Sequence, residues 1–294
     1  MIKEFEYFAP KTVAEALSLL ARYKDEAKII AGGQSMLVVM RQGLLSPEYL
    51  IDVKCISELD YIKYDGKVLR IGALTPHRTI EKSPAIIQRY PVLNETERNL
   101  ATVQTRNWGT IGGNLCHGDP AGDLAPVLIA LNARLKLASS GGDRTVAAED
   151  FPRDYLEVAL EPGEVLAEIQ VPVPPPHTGT AYNKLMVMKG DMGIIGAAVS
   201  VTLKPDGVCQ YARIALSNAA SVPLRAKKAE EHLIGKAITD DLLAEAGEIA
   251  STEASPPDDV HGSAEYRREM VKVFVRRVGW LALERARAVT GGIA

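Results

Sequence analysis

Two glycine pairs, Gly32-Gly33 and Gly112-Gly113, constrain what this chain can fold into more than any other feature. The second opens TIGGNLCHGDPAGD, residues 110–123, with four glycines, a proline and two aspartates in fourteen residues. Such a stretch reads as loop whose backbone can approach a ligand closely. Consecutive Gly112 and Gly113 amides can turn toward one point, which is the geometry that cradles a pyrophosphate. The first pair lies in AKIIAGGQSM, after the apolar run 29–31 and before the helix-like SMLVVM. Together the two loops predict one nucleotide-sized ligand held from both sides. Neither carries GxGxxG or GxxxxGK[ST], which removes support from the classical dinucleotide and nucleoside-triphosphate folds. A lone glycine pair is ordinarily a tight turn, so the inference rests on both loops, their order and the Asp123 that follows.

The rest of the chain narrows the class. At 294 residues, 47% hydrophobic and 24% charged, it can pack two or three subdomains. A net charge of -3 with no basic stripe argues against nucleic acid or an anionic membrane as partner. Cys55, Cys116 and Cys209 are too scattered for a metal site, a disulfide framework or an iron–sulfur cluster, so no metal is expected. The opening MIKEFEYFAP lacks a signal-peptide pattern, and no apolar run approaches the ~20 residues of a membrane span, which makes cytoplasm the default expectation.

In chain order, residues 2–8 alternate as a strand, and Thr12 with Glu15 forms a capping box for a helix. A strand at 28–31, the first glycine loop, a helical turn at 36–40 and a strand at 49–53 complete a βαβ-like opening. Strands are predicted at 68–74, 133–138 and 165–171, and helices at 79–87, 92–101 and 124–131. The prolines at 172 and 174–176 mark a stiff linker and a boundary. Strands at 182–188, 197–203 and 210–216 then precede helices at 225–234, 240–250 and 264–288. This order predicts an α+β layer of three antiparallel strands backed by helices. The domains expected are 1–55, 56–176 and 177–294.

AGGQS at 31–35, TIGGN at 110–114 with Pro120 and Asp123 after it, GDMG at 190–193 and AEYRREM at 264–270 occur in one order along the whole chain. In these motifs the chain resembles the flavin-binding medium subunit of molybdenum hydroxylases, most closely the carbon-monoxide-dehydrogenase type. The resemblance implies an α+β protein: a vanillyl-alcohol-oxidase-type (PCMH) FAD-binding domain of two α/β subdomains, then a C-terminal three-stranded antiparallel sheet with helices. It implies non-covalent FAD, with Ile29, Ile30, Ala31, Gly32, Gly33, Gln34, Ser35 and Met36 around the diphosphate and flavin edge. Thr110, Gly113, Asn114 and His117 would hold phosphate and ribityl oxygens, with Cys116 and Gly122 alongside. Asp123 would take a ribose or ribityl hydroxyl, and Leu100, Ala101 and Leu166 would line the adenine and ring pockets. Lys184 would lie near the flavin and Met192 beside the ring. Gln34 and Met192 stand where the carbon-monoxide enzymes carry histidine and tyrosine.

Each assignment has a plainer counterpart. Asp123 can simply cap the helix at Leu124, Lys184 can be a strand-edge surface lysine, and Cys116 a small buried residue. His117 has no base or nucleophile paired with it in the pattern, and no catalytic residue is assigned. The function expected is an electron-transfer subunit of a molybdenum hydroxylase. Its partners would be a small [2Fe–2S] subunit and a large molybdopterin subunit, in a dimer of heterotrimers that serves an external acceptor. The rival readings are a free-standing FAD-dependent oxidase or reductase, and a nucleotide-binding regulatory module.

Overall fold

The computed structural model describes residues 2–290. Its first unit is a parallel sheet of β1 (Glu6–Phe8), β2 (Ala27–Ile30) and β3 (Tyr49–Asp52), in the order β1-β3-β2. Helix α1 (Val13–Tyr23) makes the crossover from β1 to β2, and the Thr12 hydroxyl accepts from the Glu15 amide as the capping box predicts. Helix α2 (Met36–Arg41) follows the first glycine loop.

The second unit is an antiparallel sheet with helices packed against it. Its elements are β4 (Ile62–Tyr64), β5 (Val68–Gly72), α3 (His77–Lys82), α4 (Pro84–Arg89), α5 (Pro91–Asn99), α6 (Val103–Trp108), α7 (Ile111–His117), α8 (Leu124–Ala130), β6 (Arg134–Ser139), β7 (Gly142–Ala147), the short ribbon β8 (Pro152–Asp154) and β9 (Glu157–Val158), and β10 (Val165–Pro172). The strand order is β4-β5-β10-β6-β7. The single helix expected at 79–87 divides at Ser83, because the residue before Pro84 is driven to the extended region.

The third unit is an antiparallel sheet of β11 (Thr178–Leu185), β12 (Ile195–Leu203), β13 (Cys209–Ser217) and β14 (Leu224–Arg225), followed by α9 (Lys227–Leu233), α10 (Asp240–Glu253) and α11 (Ala264–Thr290). A two-residue fourth strand thus joins the three expected. One face of this sheet packs on α9 and α11, with α10 laid over those two helices, while Ala198 and Ala215 on the other face join the core of the second unit. Both faces are therefore buried, which is why β12 is apolar from Ile195 to Val199, and the hydroxyls of its Ser200 and Thr202 are hydrogen-bonded to Thr180 and Thr178 of β11. No helix among the described residues is long and apolar enough to cross a membrane.

Ion pairs tie the edges. Arg144 on β7 grips Glu164 through two bonds of 2.6 Å and donates to the Ala159 carbonyl. The Arg144 hydrogen bonds hold the Glu164 carboxyl below its ordinary 4.5. A carboxyl depressed in this way adds stability that is complete above its unfolded pKa and lost as pH falls through the folded one. Glu164→Gln should therefore lower the melting temperature at neutral pH, and the difference from wild type should narrow as pH falls below 4.5. Thermal melts of both proteins across pH check this.

Candidate functional site

The two glycine loops meet. A Cβ built on Gly32 would overlap the Trp108 carbonyl oxygen and lie 2.7 Å from Gly109 Cα, so only glycine lets the first loop touch the segment that leads into Thr110. The Lys54 ammonium sits 3.3 Å from the centroid of the Trp108 ring, clasping the same seam between the first and second units. Gln34 folds back, its Nε2 donating to the Gly32 carbonyl at 2.9 Å, and the Gly109 carbonyl accepts from the His77 amide at 3.0 Å.

The loops use their backbones differently. In the first, the amides of Gly32, Gly33, Gln34, Ser35 and Met36 donate to no protein acceptor among the described residues, and Gly33 holds a φ of +71°. Five successive free donors leading into α2 form an anion cradle. The second stretch is not loop at its start. Residues 111–117 are helix α7, with Thr110 as its N-cap and Gly118 in the left-handed conformation at its end. Its first amides are already engaged: Ile111 with the Thr75 carbonyl, Gly112 with the Ala73 carbonyl at 2.8 Å, and Gly113 with the Thr110 hydroxyl at 3.1 Å. The paired-amide cradle expected at Gly112-Gly113 is thus absent from this conformation. Gly112 is glycine because a Cβ would lie 2.6 Å from the Ala73 carbonyl oxygen, whereas Gly113 leaves an open face toward Ala31. The Thr110 hydroxyl accepts from Gly113 and keeps its own proton to donate.

Between the loops lies an apolar cavity of about 110 Å³. Ile29, Ala31, Gly113, Cys116 and Leu166 line it, together with Val13 and Leu74, and its walls suit a flat aromatic ring. Burial pushes the Cys116 thiol up to about 12, which makes it a wall and not a nucleophile. Ile30 ends β2, and Met36 begins α2. Asn114 and Gly122 turn elsewhere, onto a void of about 20 Å³ beside Asp119 and Phe151. His117 is half-buried in the last turn of α7 and has no charged side-chain partner among the described residues.

A second group closes the site from the C-terminal unit. Leu100 and Ala101 leave α5 in a turn where Ala101 takes φ 44°, and buried Arg106 donates to both carbonyls, at 2.6 and 2.9 Å. Gly190 abuts this turn: a Cβ there would lie 3.0 Å from the Ala101 carbonyl oxygen. Met192, in the same β11–β12 loop, is exposed. At the foot of that loop Lys184 is buried, not at the surface, and its Nζ donates at 2.6 Å to Asp123 Oδ2 and at 2.6 Å to the Asp191 carbonyl. Tyr182, two residues back on the same face of β11, donates to Asp123 Oδ1 at 2.6 Å. Asp123 makes no capping bond to α8; both its oxygens are committed across the domain junction. Burial pushes the Asp123 carboxyl up, against the pull of Lys184 and the two hydrogen bonds. Burial and the Asp123 carboxylate drive the Tyr182 hydroxyl well above its usual value. Trp108, Gly109 and Tyr182 are not evident from the sequence, and Asp191 stands there only as part of the GDMG motif without a role; for Tyr182 the signal is its period-2 spacing from Lys184.

Residues 3–174 match the family described as the FAD binding domain in molybdopterin dehydrogenase, and residues 180–280 match the CO dehydrogenase flavoprotein C-terminal domain. The chain belongs to this FAD-binding family. It is 38% identical to the carbon monoxide dehydrogenase medium chain of Afipia carboxidovorans, over 97% of each. It is 37% identical to the 6-hydroxypseudooxynicotine dehydrogenase complex subunit alpha of Paenarthrobacter nicotinovorans, over 96% of each. A chain of the Hydrogenophaga pseudoflava carbon monoxide dehydrogenase structure superposes with a TM-score of 0.94 at 39% identity, covering 97% of this chain and 99% of that one. The chain is therefore an oxidoreductase component built on an FAD-binding domain, and the cradle, apolar cavity and glycine seam fit that cofactor.

Proposed function

We propose that this chain carries electrons from the [2Fe–2S] clusters of a small partner subunit, through FAD, to an external acceptor. A large molybdopterin subunit hydroxylates the substrate, and two such heterotrimers pair in the cytoplasm. Bound FAD supplies the means of exchanging electron pairs with single electrons. The residues of this chain do the rest: the free amides of residues 32–36 bind the diphosphate, the Thr110 hydroxyl donates to it, and the apolar cavity at Ile29, Cys116 and Leu166 excludes water from the adenine. The turn at Leu100 and Ala101, with Lys184 and Met192, borders the ring.

The observation that carries this reading is the meeting of two glycine segments from different units over one apolar cavity beside a row of unpaired amides. The two relatives named above act on unlike substrates, carbon monoxide in one case and 6-hydroxypseudooxynicotine in the other, as their names state. That contrast suits a subunit which leaves substrate choice to another polypeptide. Affinity purification of the tagged chain from its native cell tests the proposal. The expected result is one non-covalent FAD per chain, released intact by acid, together with an iron–sulfur and a molybdopterin polypeptide in equal amounts. A colourless chain, or a flavoprotein that turns over substrate alone, would overturn it.

A further inference from the structure

The Asp123–Lys184 pair crosses the domain junction with side chains only 7% and 3% exposed. A buried ion pair is a poor device for stability, since two apolar residues of the same size would hold the junction at least as well. What the pair offers is fixed charge in a medium of low dielectric. An ammonium has three protons, and Lys184 uses two, on Asp123 Oδ2 and the Asp191 carbonyl; among the described residues the third has no acceptor. Gly193 presses close here, and any side chain on it would crowd the Lys184 stem, since a Cβ would come within 3.3 Å of Lys184 Cβ. The β11–β12 loop reaches from this point to Ala101. On the FAD reading above, the diphosphate takes the amides of residues 32–36 and the adenine the cavity at Leu166, which assigns the isoalloxazine ring to the wall made by Ala101 and that loop.

We propose that Asp123 is a positioning residue: it holds and half-compensates the Lys184 ammonium beside the isoalloxazine ring, and the balance of the two charges sets the reduction potential of bound FAD. This rests on the FAD reading above and adds a role for the pair. FAD gains two electrons and one proton on reduction and so acquires one negative charge near neutral pH. An ammonium favours that charge and a carboxylate opposes it. Tyr182 contributes by occupying Asp123 Oδ1, which leaves Oδ2 aimed at Lys184.

The test is a dithionite titration of the full chain carrying FAD, with a reference dye of known potential. Asp123→Asn should raise the potential and Lys184→Met should lower it. Each should change the oxidised-to-reduced ratio at fixed poise about tenfold, which for a two-electron couple is about 30 mV. The double variant should return toward wild type, because the two effects cancel. If a single variant loses FAD, Asp123→Glu and Lys184→Arg replace it; with both charges kept, they should stay within about threefold of the wild-type ratio. Single variants that shift the potential the same way, or leave it unmoved while still holding FAD, would make the pair a mere junction lock and overturn the inference. A larger shift in the charge-preserving pair would do the same. Failure of the wild-type chain to take up FAD would instead overturn the functional reading on which the inference rests.

Discussion

Gly113→Val should strip the chain of FAD while leaving it folded. The backbone at Gly113 is ordinary helix, so valine meets no conformational barrier, and its helix propensity exceeds that of glycine by a few tenths of a kcal/mol. The cost lies in what the side chain displaces. A Cβ at this position falls 2.9 Å from the Thr110 hydroxyl, the N-cap of α7 and the donor assigned to the phosphate, and 3.8 Å from Ala31 Cβ across the cleft. The two γ-methyls of valine would fill the remaining gap between the loops. With the cofactor in that gap, overpacking of this kind costs the bound state about 1–3 kcal/mol, and loss of the Thr110 hydrogen bond to the phosphate about 1 more. Affinity for FAD should fall by roughly a hundredfold or more at 1.4 kcal/mol per decade. Flavin absorbance per chain after gel filtration measures it. Gly66→Ala is the control, because a Cβ there meets nothing within 4 Å and its φ of +88° strains only a distant turn. A Gly113→Val protein that stays yellow would remove this glycine from the site.

What could be read in advance, and what could not, divides by sequence distance. The Thr12 cap, the period-2 strands and the apolar run before Gly32 are local, and each was visible because propensity and burial agree within a few residues. Helix α7 was missed because Gly112-Gly113 suppresses helical propensity; the helix exists through Thr110 at one end, left-handed Gly118 at the other, and amide bonds to Ala73 and Thr75 from another element. The same non-locality hid the purpose of Asp123, whose partner lies 61 positions away on a different sheet. Nothing in the residues near 123 distinguishes a helix cap from a buried counter-ion. Strands β4 and β14, three and two residues long, carry too little pattern to register. Gly32 was singled out for the right neighbourhood, though its necessity comes from the Trp108 carbonyl, which no spacing rule anticipates.

The largest loss of stability is expected from Glu230→Ala. Glu230 lies in α9, is 3% exposed, and serves two tasks at once. Its Oε1 accepts from the Ile214 amide of β13 at 2.9 Å, closing a sheet-edge donor that has no other partner at that side. Both its oxygens accept from Arg225, at 2.8 to 3.1 Å. Arg225 in turn forks onto both oxygens of Glu149 at 3.0 Å, which ties the C-terminal unit to the second unit. The Glu230 and Glu149 bonds hold the Arg225 guanidinium above the ordinary arginine range, so its charge persists at any working pH. Removing Glu230 leaves a buried amide unpaired and a mostly buried cation half compensated, a combination that costs about 3–5 kcal/mol. Glu230→Gln keeps an acceptor for Ile214 and loses only the charge, so it should cost less than half as much. Glu248→Ala, which breaks a surface pair with Lys272, should have no measurable effect. Thermal melts of the three variants rank them, and since the Arg225 fork spans the junction, Glu230→Ala should also split the single transition into two. A Glu230→Ala chain that melts with wild type in one step would mean that Glu149 alone holds Arg225 and that the junction is secured by the apolar contacts of Ala198 and Ala215 instead.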